Sequence, residues 1–99
     1  DDTPPAIVDP YADKKILRDA ALYIKNNNPN MTQWNNYLST LNWYDAYMVR
    51  FWVAKLALIL AERHEIVITD FTEIKVLAAL KTYIINQPLR KLNRLLFGE

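Results

Sequence analysis

Glu62-Arg63-His64-Glu65 gathers four titratable side chains around the only histidine of the chain. A metal centre needs two or more ligands on one helical face, as His-x-x-x-His or Glu-x-x-His spacings provide. Glu62 and Glu65 stand three apart, but His64 shares the direction of neither, so the cluster reads as a solvated helix terminus. Nucleophilic chemistry has as little support. Cysteine is absent, and a Ser39–His64–Asp arrangement would need all its geometry from the fold, without a Gly-x-Ser-x-Gly elbow. Gly98 is the only glycine, which excludes a glycine-rich phosphate loop. No catalytic set, metal or cofactor is implied.

Arg50 is the sharpest single residue, mid-helix among Val49, Phe51, Trp52 and Val53. It suits an anion clamp or an ion pair across an interface. The plainer role is an arginine that buries its stem and keeps its guanidinium wet. Trp34-Asn35-Asn36-Tyr37, with Trp43 and Tyr44 close behind, has the side chains to stack bases or sugars. Filling the core is the plainer role for Trp34 and Tyr37, which stand as candidate contact residues. A net charge of +1 disfavours nucleic acid, because phosphate backbones are held by many neutralising contacts. The tail from Pro88 to Phe97 is short, basic and amphipathic, with Arg90, Lys91 and Arg94 as candidate contacts. It suits a partner groove, an anionic membrane surface or a terminal helix folded back on its own bundle.

These residues need a scaffold, and composition restricts it. Ninety-nine residues, 52% of them apolar, fit one domain. A single glycine argues against a turn-rich β-sandwich or barrel, whose tight turns need positive φ. The absence of cysteine removes disulfides and thiolate sites. The chain therefore reads as all-α, a compact bundle of four to five helices. Residues 1–8 read as an extended arm with Pro4 and Pro5, and 9–99 as one helical domain.

Asp9-Pro10 starts helix one, which runs to about Asn27 with Ile16, Leu17, Ala20 and Ile24 inward. Asn26 to Asn30, interrupted by Pro29, ends it. Thr32 is the expected cap of a short second helix to about Thr40. Asn42 caps a third helix to about His64. Glu65 to Thr69 is an extended connector without a strand partner. Asp70-Phe71-Thr72-Glu73 has capping-box spacing. Helix four follows to about Asn86, with Ile74, Leu77, Ala78, Leu80 and Ile84 inward. Pro88 opens a last helix with Leu89, Leu92, Leu95 and Leu96 on one side, and Gly98 stops it.

The third helix is central in this scheme. From Trp43 to Ala61 it carries only Asp45, Arg50 and Lys55 as charges. Successive charges lie about 140° apart around the axis, so no side is left polar. Its longest unbroken apolar run, Leu56 to Ala61, is far short of the ~18–20 residues needed to span a bilayer.

Charge is also uneven. Residues 1–13 hold Asp1, Asp2, Asp9 and Asp13 without a base, whereas 75–99 hold Lys75, Lys81, Arg90, Lys91 and Arg94 against Glu99. Acidic head and basic tail can match within one chain or between subunits. The start at Asp1 rather than Met reads as a processed or trimmed chain, with a secreted or periplasmic location among its readings. Asn30-Met31-Thr32 is a glycosylation sequon of a kind common by chance.

The functional expectation is a non-enzymatic interaction or structural module. It would be a subunit of an oligomer or larger assembly (viral, secreted or accessory), with a protein partner or self-association. One alternative is a membrane-active or lipid-binding protein using the third helix or the tail. The other is a small helical enzyme with an interhelical pocket, using Arg50 with Glu62 or Glu73.

Overall fold

Apolar spacing and cap chemistry build four helices: α1 (Pro10–Asn27), α2 (Met31–Ser39), α3 (Trp43–Glu62) and α4 (Glu73–Asn86). The computed structural model describes residues 10–88, 90–92 and 94, with side chains from residue 15 onward. Residues 90–92 and 94 are helical as well, and no strand occurs among the described residues. The expected arm over 1–8, the acidic head and the inward leucines Leu89, Leu95 and Leu96 lie outside the described residues.

The bundle is all-α, with α1, α3 and α4 packed against one another. The third helix is its centre. It supplies Ala46, Val49, Trp52, Val53, Leu56, Ala57 and Leu60 to the core. Leu17, Ala20, Ala21 and Ile24 of α1 meet them, with Trp34 and Leu38 of α2 at one end. Burying such a side chain contributes roughly 1.5–3 kcal/mol. The indole Nε1 of Trp52 is buried without a hydrogen-bond partner. An orphaned donor costs about 1–3 kcal/mol. The ring's packing among Val49, Val53 and Leu56 is what outweighs it.

Two cap expectations change. The second helix starts at Met31, capped by Asn30 rather than Thr32. Asn30 Oδ1 accepts from the Gln33 N–H at 2.8 Å, and the Asn30 N–H donates to Gln33 Oε1 at 3.0 Å. This reciprocal box satisfies two donors at once, more than a single threonine cap offers. The fourth helix starts at Glu73 with Thr72 as N-cap and no side-chain cap bond. Asp70 instead accepts from the Thr72 N–H at 3.2 Å, an Asx turn two residues on. The Asn42 cap of α3 is as expected, with Oδ1 accepting from the Asp45 N–H at 2.8 Å.

The end of α3 is a Schellman motif. The Glu65 N–H donates to Leu60 O at 2.9 Å and the His64 N–H to Ala61 O at 3.1 Å. His64 takes the left-handed conformation, φ 59°, where glycine is usual. Asn28 does the same at the end of α1, φ 46°, ahead of Pro29. In α4 the inward set is Val76, Leu77, Leu80, Tyr83 and Ile84. The expected Ile74 and Ala78 are exposed. They sit roughly 120–160° from the buried direction once Val76 and Tyr83 join it.

Residues 63–72 return the chain along the bundle. Glu73 stands beside Arg50 in mid-α3, and Tyr83 stands beside Glu65 just past the end of α3. The helices α3 and α4 therefore run in the same general direction, with Ile66 and Ile68 of the connector packed against the core. One lysine locks this arrangement. Lys25 Nζ of α1 donates to Ile85 O at 2.9 Å and to Gln87 O at 3.1 Å. It thereby satisfies carbonyls that the end of α4 leaves open and places a cation at the negative end of that helix. Lys25→Met should cost about 1.5–3 kcal/mol, the range for bonds from a charged donor. Lys15→Met, which breaks only the exposed pair with Asp19, should cost under ~1 kcal/mol. Urea midpoints of the two variants check the difference.

Candidate functional site

The side of α3 turned away from the core is apolar too. Trp43 is 81% exposed, Tyr47 59%, Phe51 55% and Leu58 55%, with Tyr44 and Ala54 also in solvent. Residues 43, 47, 51, 54 and 58 fall within about 80° of the helix circumference, opposite the buried residues. The packed side and the solvent side of one helix are thus both hydrophobic. Soluble monomers rarely leave contiguous apolar surface of this kind unless it has a function. Trp43 and Tyr44 meet edge to face, 5.8 Å between centroids, at the start of the stripe. Near its far end Phe51, Ala54, Lys55, Leu58, Ile59 and Glu62 line a shallow groove.

Arg50 stands at the edge of this stripe. Its Nε lies 3.8 Å from Glu73 Oε2, and both side chains are solvated. A pair of this exposure contributes about 0–1 kcal/mol. Arg50 and Glu73 border a cavity of about 180 Å³ whose walls include Trp34, Val53, Phe71 and Leu77. That volume is below the ~300–1,000 Å³ usual for small-molecule sites. Glu62, the other carboxylate considered with Arg50, lies more than three turns further along α3.

The aromatic candidates of α2 face inward. Trp34 is buried and Tyr37 half-buried. Tyr37 stacks on Tyr23 at 4.3 Å and on Trp34 at 5.6 Å, which pins α2 to α1. Burial, with Asp19 and Tyr23 nearby, raises the Tyr37 pKa above its ordinary value of 10.0. The Ser39 hydroxyl donates to Asn36 O at 2.7 Å, a local bond within its own helix.

The basic residues of the tail lie on the bundle surface. Arg90, Lys91 and Arg94 are exposed, and Leu92 between them is buried in the core. Lys91 Nζ is 3.7 Å from Glu65 Oε1 and 5.7 Å from the centroid of the Tyr83 ring. The Tyr83 hydroxyl donates to that same Glu65 oxygen at 2.9 Å. His64 and its neighbours Glu62, Arg63 and Glu65 are exposed. Among the described residues no group of three or more His, Asp or Glu side chains is placed to hold a metal ion. No helix of the described residues is long and apolar enough to cross a membrane.

Sequence reasoning missed Lys25, the Tyr83–Glu65–Lys91 cluster and the solvent-facing stripe as a unit. The stripe had a legible signal, since Trp43, Tyr47 and Phe51 recur every four residues. Comparison with family models, with curated proteins and with solved structures returns no match.

Burial first, then the hydrogen bond and charge of Glu65, push the Tyr83 pKa from 10.0 up to about 12, with Arg63 pulling weakly the other way. The folded-state value lies above the unfolded one. Its contribution to stability is therefore fully present below pH 10 and lost as pH rises through about 12. Tyr83→Phe should cost about 1.5–3 kcal/mol at pH 8, the range for a bond to a charged partner. The gap between wild type and variant should close between pH 10 and 12 in urea titrations at stepped pH.

Proposed function

We propose that this chain is an interaction module whose working surface is the outer face of α3. The observation that carries the reading is the solvent-facing stripe of Trp43, Tyr47, Phe51 and Leu58 on a helix whose other side already fills the core. Core packing does not require those four residues, and hydration disfavours them where they stand. A covering partner removes that cost. Aromatic residues are also the side chains most enriched at the centres of protein interfaces. The rigid three-helix base behind the stripe reduces the entropy lost on docking.

Arg50 and Lys55 border the stripe, and Arg90, Lys91 and Arg94 supply positive charge elsewhere on the surface. In this reading Arg50 is a rim residue already paired within its own chain. The tail bases act through long-range steering. Trp34 and Tyr37 support the site from within by fixing α2.

A photoreactive phenylalanine analogue at position 51 should yield discrete protein adducts in the cells that produce the chain. The same analogue at the exposed position 15 of α1 should yield none. Adducts absent at position 51, or equal at both positions, would contradict the reading.

A further inference from the structure

We infer that the stripe on α3 pairs with the same stripe on a second copy of this chain, antiparallel about a two-fold axis between Phe51 and Ala54. This rests on the interaction-module reading and names its partner. The first ground is spacing. Residues 43, 47, 51, 54, 58 and 62 are separated by four, four, three, four and four positions, a series that is the same read in either direction. When two such helices run antiparallel with Phe51 of one copy over Ala54 of the other, the four central layers fill. Tyr47 meets Leu58, while Trp43 and Glu62 are level at the ends but on opposite edges of the stripe. The second ground is taper. The N-terminal half of the stripe is bulky and the C-terminal half is small. Antiparallel pairing sets large on small in each layer, as close packing requires. Parallel pairing would set Trp43, Tyr47 and Phe51 on their own copies and leave a gap at Ala54.

Charge does not choose between the two directions, so spacing and taper carry the choice. Arg50 and Lys55 lie on opposite flanks of the stripe, about 140° apart around the axis. In a parallel pair, opposite flanks of the two helices meet, and positions five residues apart face each other. Arg50 of one copy would then face Lys55 of the other, two like charges. In an antiparallel pair, like flanks meet. Lys55 then faces the flank that carries Tyr44, Phe51 and Lys55 of the other copy, and the two Lys55 side chains stand five residues apart along the axis, as the two Arg50 side chains do. Arg50 keeps its own Glu73.

Area sets the strength. At the ~150–250 Å² that a large side chain buries, Trp43, Tyr44, Tyr47, Phe51 and Leu58 offer roughly 600 Å² per copy. A pair would bury about 1,200 Å², the lower edge of specific interfaces. The dimer is accordingly weak and concentration-dependent.

Sedimentation equilibrium from roughly 5 μM to 1 mM should show a monomer–dimer transition. Leu58→Glu, at an exposed site, should weaken it at least about tenfold with unchanged helicity. The chain has no cysteine, so Glu62→Cys takes a single spin label. At ~1.5 Å rise per residue and 8–10 Å between helix axes, antiparallel pairing separates two such labels by about 30 Å. Parallel pairing brings them to about 10 Å. A dimer with the long distance that Leu58→Glu abolishes supports the assignment. A monomer throughout the range, the short distance, or a dimer indifferent to Leu58→Glu overturns it. Position-51 adducts with a different protein, beside a purified chain that stays monomeric, overturn self-pairing alone. Absence of any position-51 adduct overturns the interaction-module reading itself.

Discussion

Everything in this molecule depends on how α3 is held. Its inner residues, from Ala46 to Leu60, are the surface on which α1 and α4 both pack. A typical amphipathic helix would finish there, with a polar back to solvent. This one carries Trp43, Tyr47, Phe51 and Leu58 on its back. The core fixes the orientation of the helix, and that orientation determines which hydrophobic residues are left outside. A rotation of about half a turn would bury the stripe and expose Trp52 and Leu56 instead. What prevents it is the close-packed core already built on the inner side, where Val49, Trp52, Leu56, Ala57 and Leu60 are buried.

The remaining elements hold that orientation. The Schellman motif at His64 ends α3 sharply, and the connector then retraces the helix so that α4 starts beside Arg50. Lys25 ties the end of α4 to α1, and Glu65 receives both Tyr83 and Lys91 where the tail folds back. Most of these polar contacts thus collect at the ends of the bundle, while its middle rests on packing, with the solvated Arg50–Glu73 pair beside it. This division leaves the outer face of α3 free of structural duties.

Much of the architecture was legible in the residues, because it rests on local rules. Asn42, Pro10 and the Asn-rich break before Pro29 mark boundaries that any short window shows. The scarcity of charge in α3 placed it at the centre. What local rules could not provide is direction. Periodicity alone put Ile74 and Ala78 inward, but Tyr83 and Val76 turn α4 toward α3 and the connector, a tertiary choice. Asp70 had the spacing of a cap, yet its carboxylate closed a turn two residues on. Lys25 was invisible as a cap because its acceptors lie sixty residues away. The solvent-facing stripe stayed hidden for the opposite reason. On a helix with hydrophobic residues all round, periodicity does not say which side is covered, and only the packed neighbours decide it.

The adjacent residues Phe51 and Trp52 put the two-sided character of α3 to its most direct test. They are both large aromatics, yet Phe51 is 55% exposed and Trp52 4%. Urea unfolding of Phe51→Ala and Trp52→Ala, measured at a concentration low enough to keep the chain monomeric, reports the side each residue is on. Trp52→Ala should cost about 3–5 kcal/mol, the range for a buried large aromatic. Phe51→Ala should stay within about 0.5 kcal/mol, as at a surface site. Equal losses, or a larger one at Phe51, would mean that α3 faces its neighbours with the other side and would contradict the account.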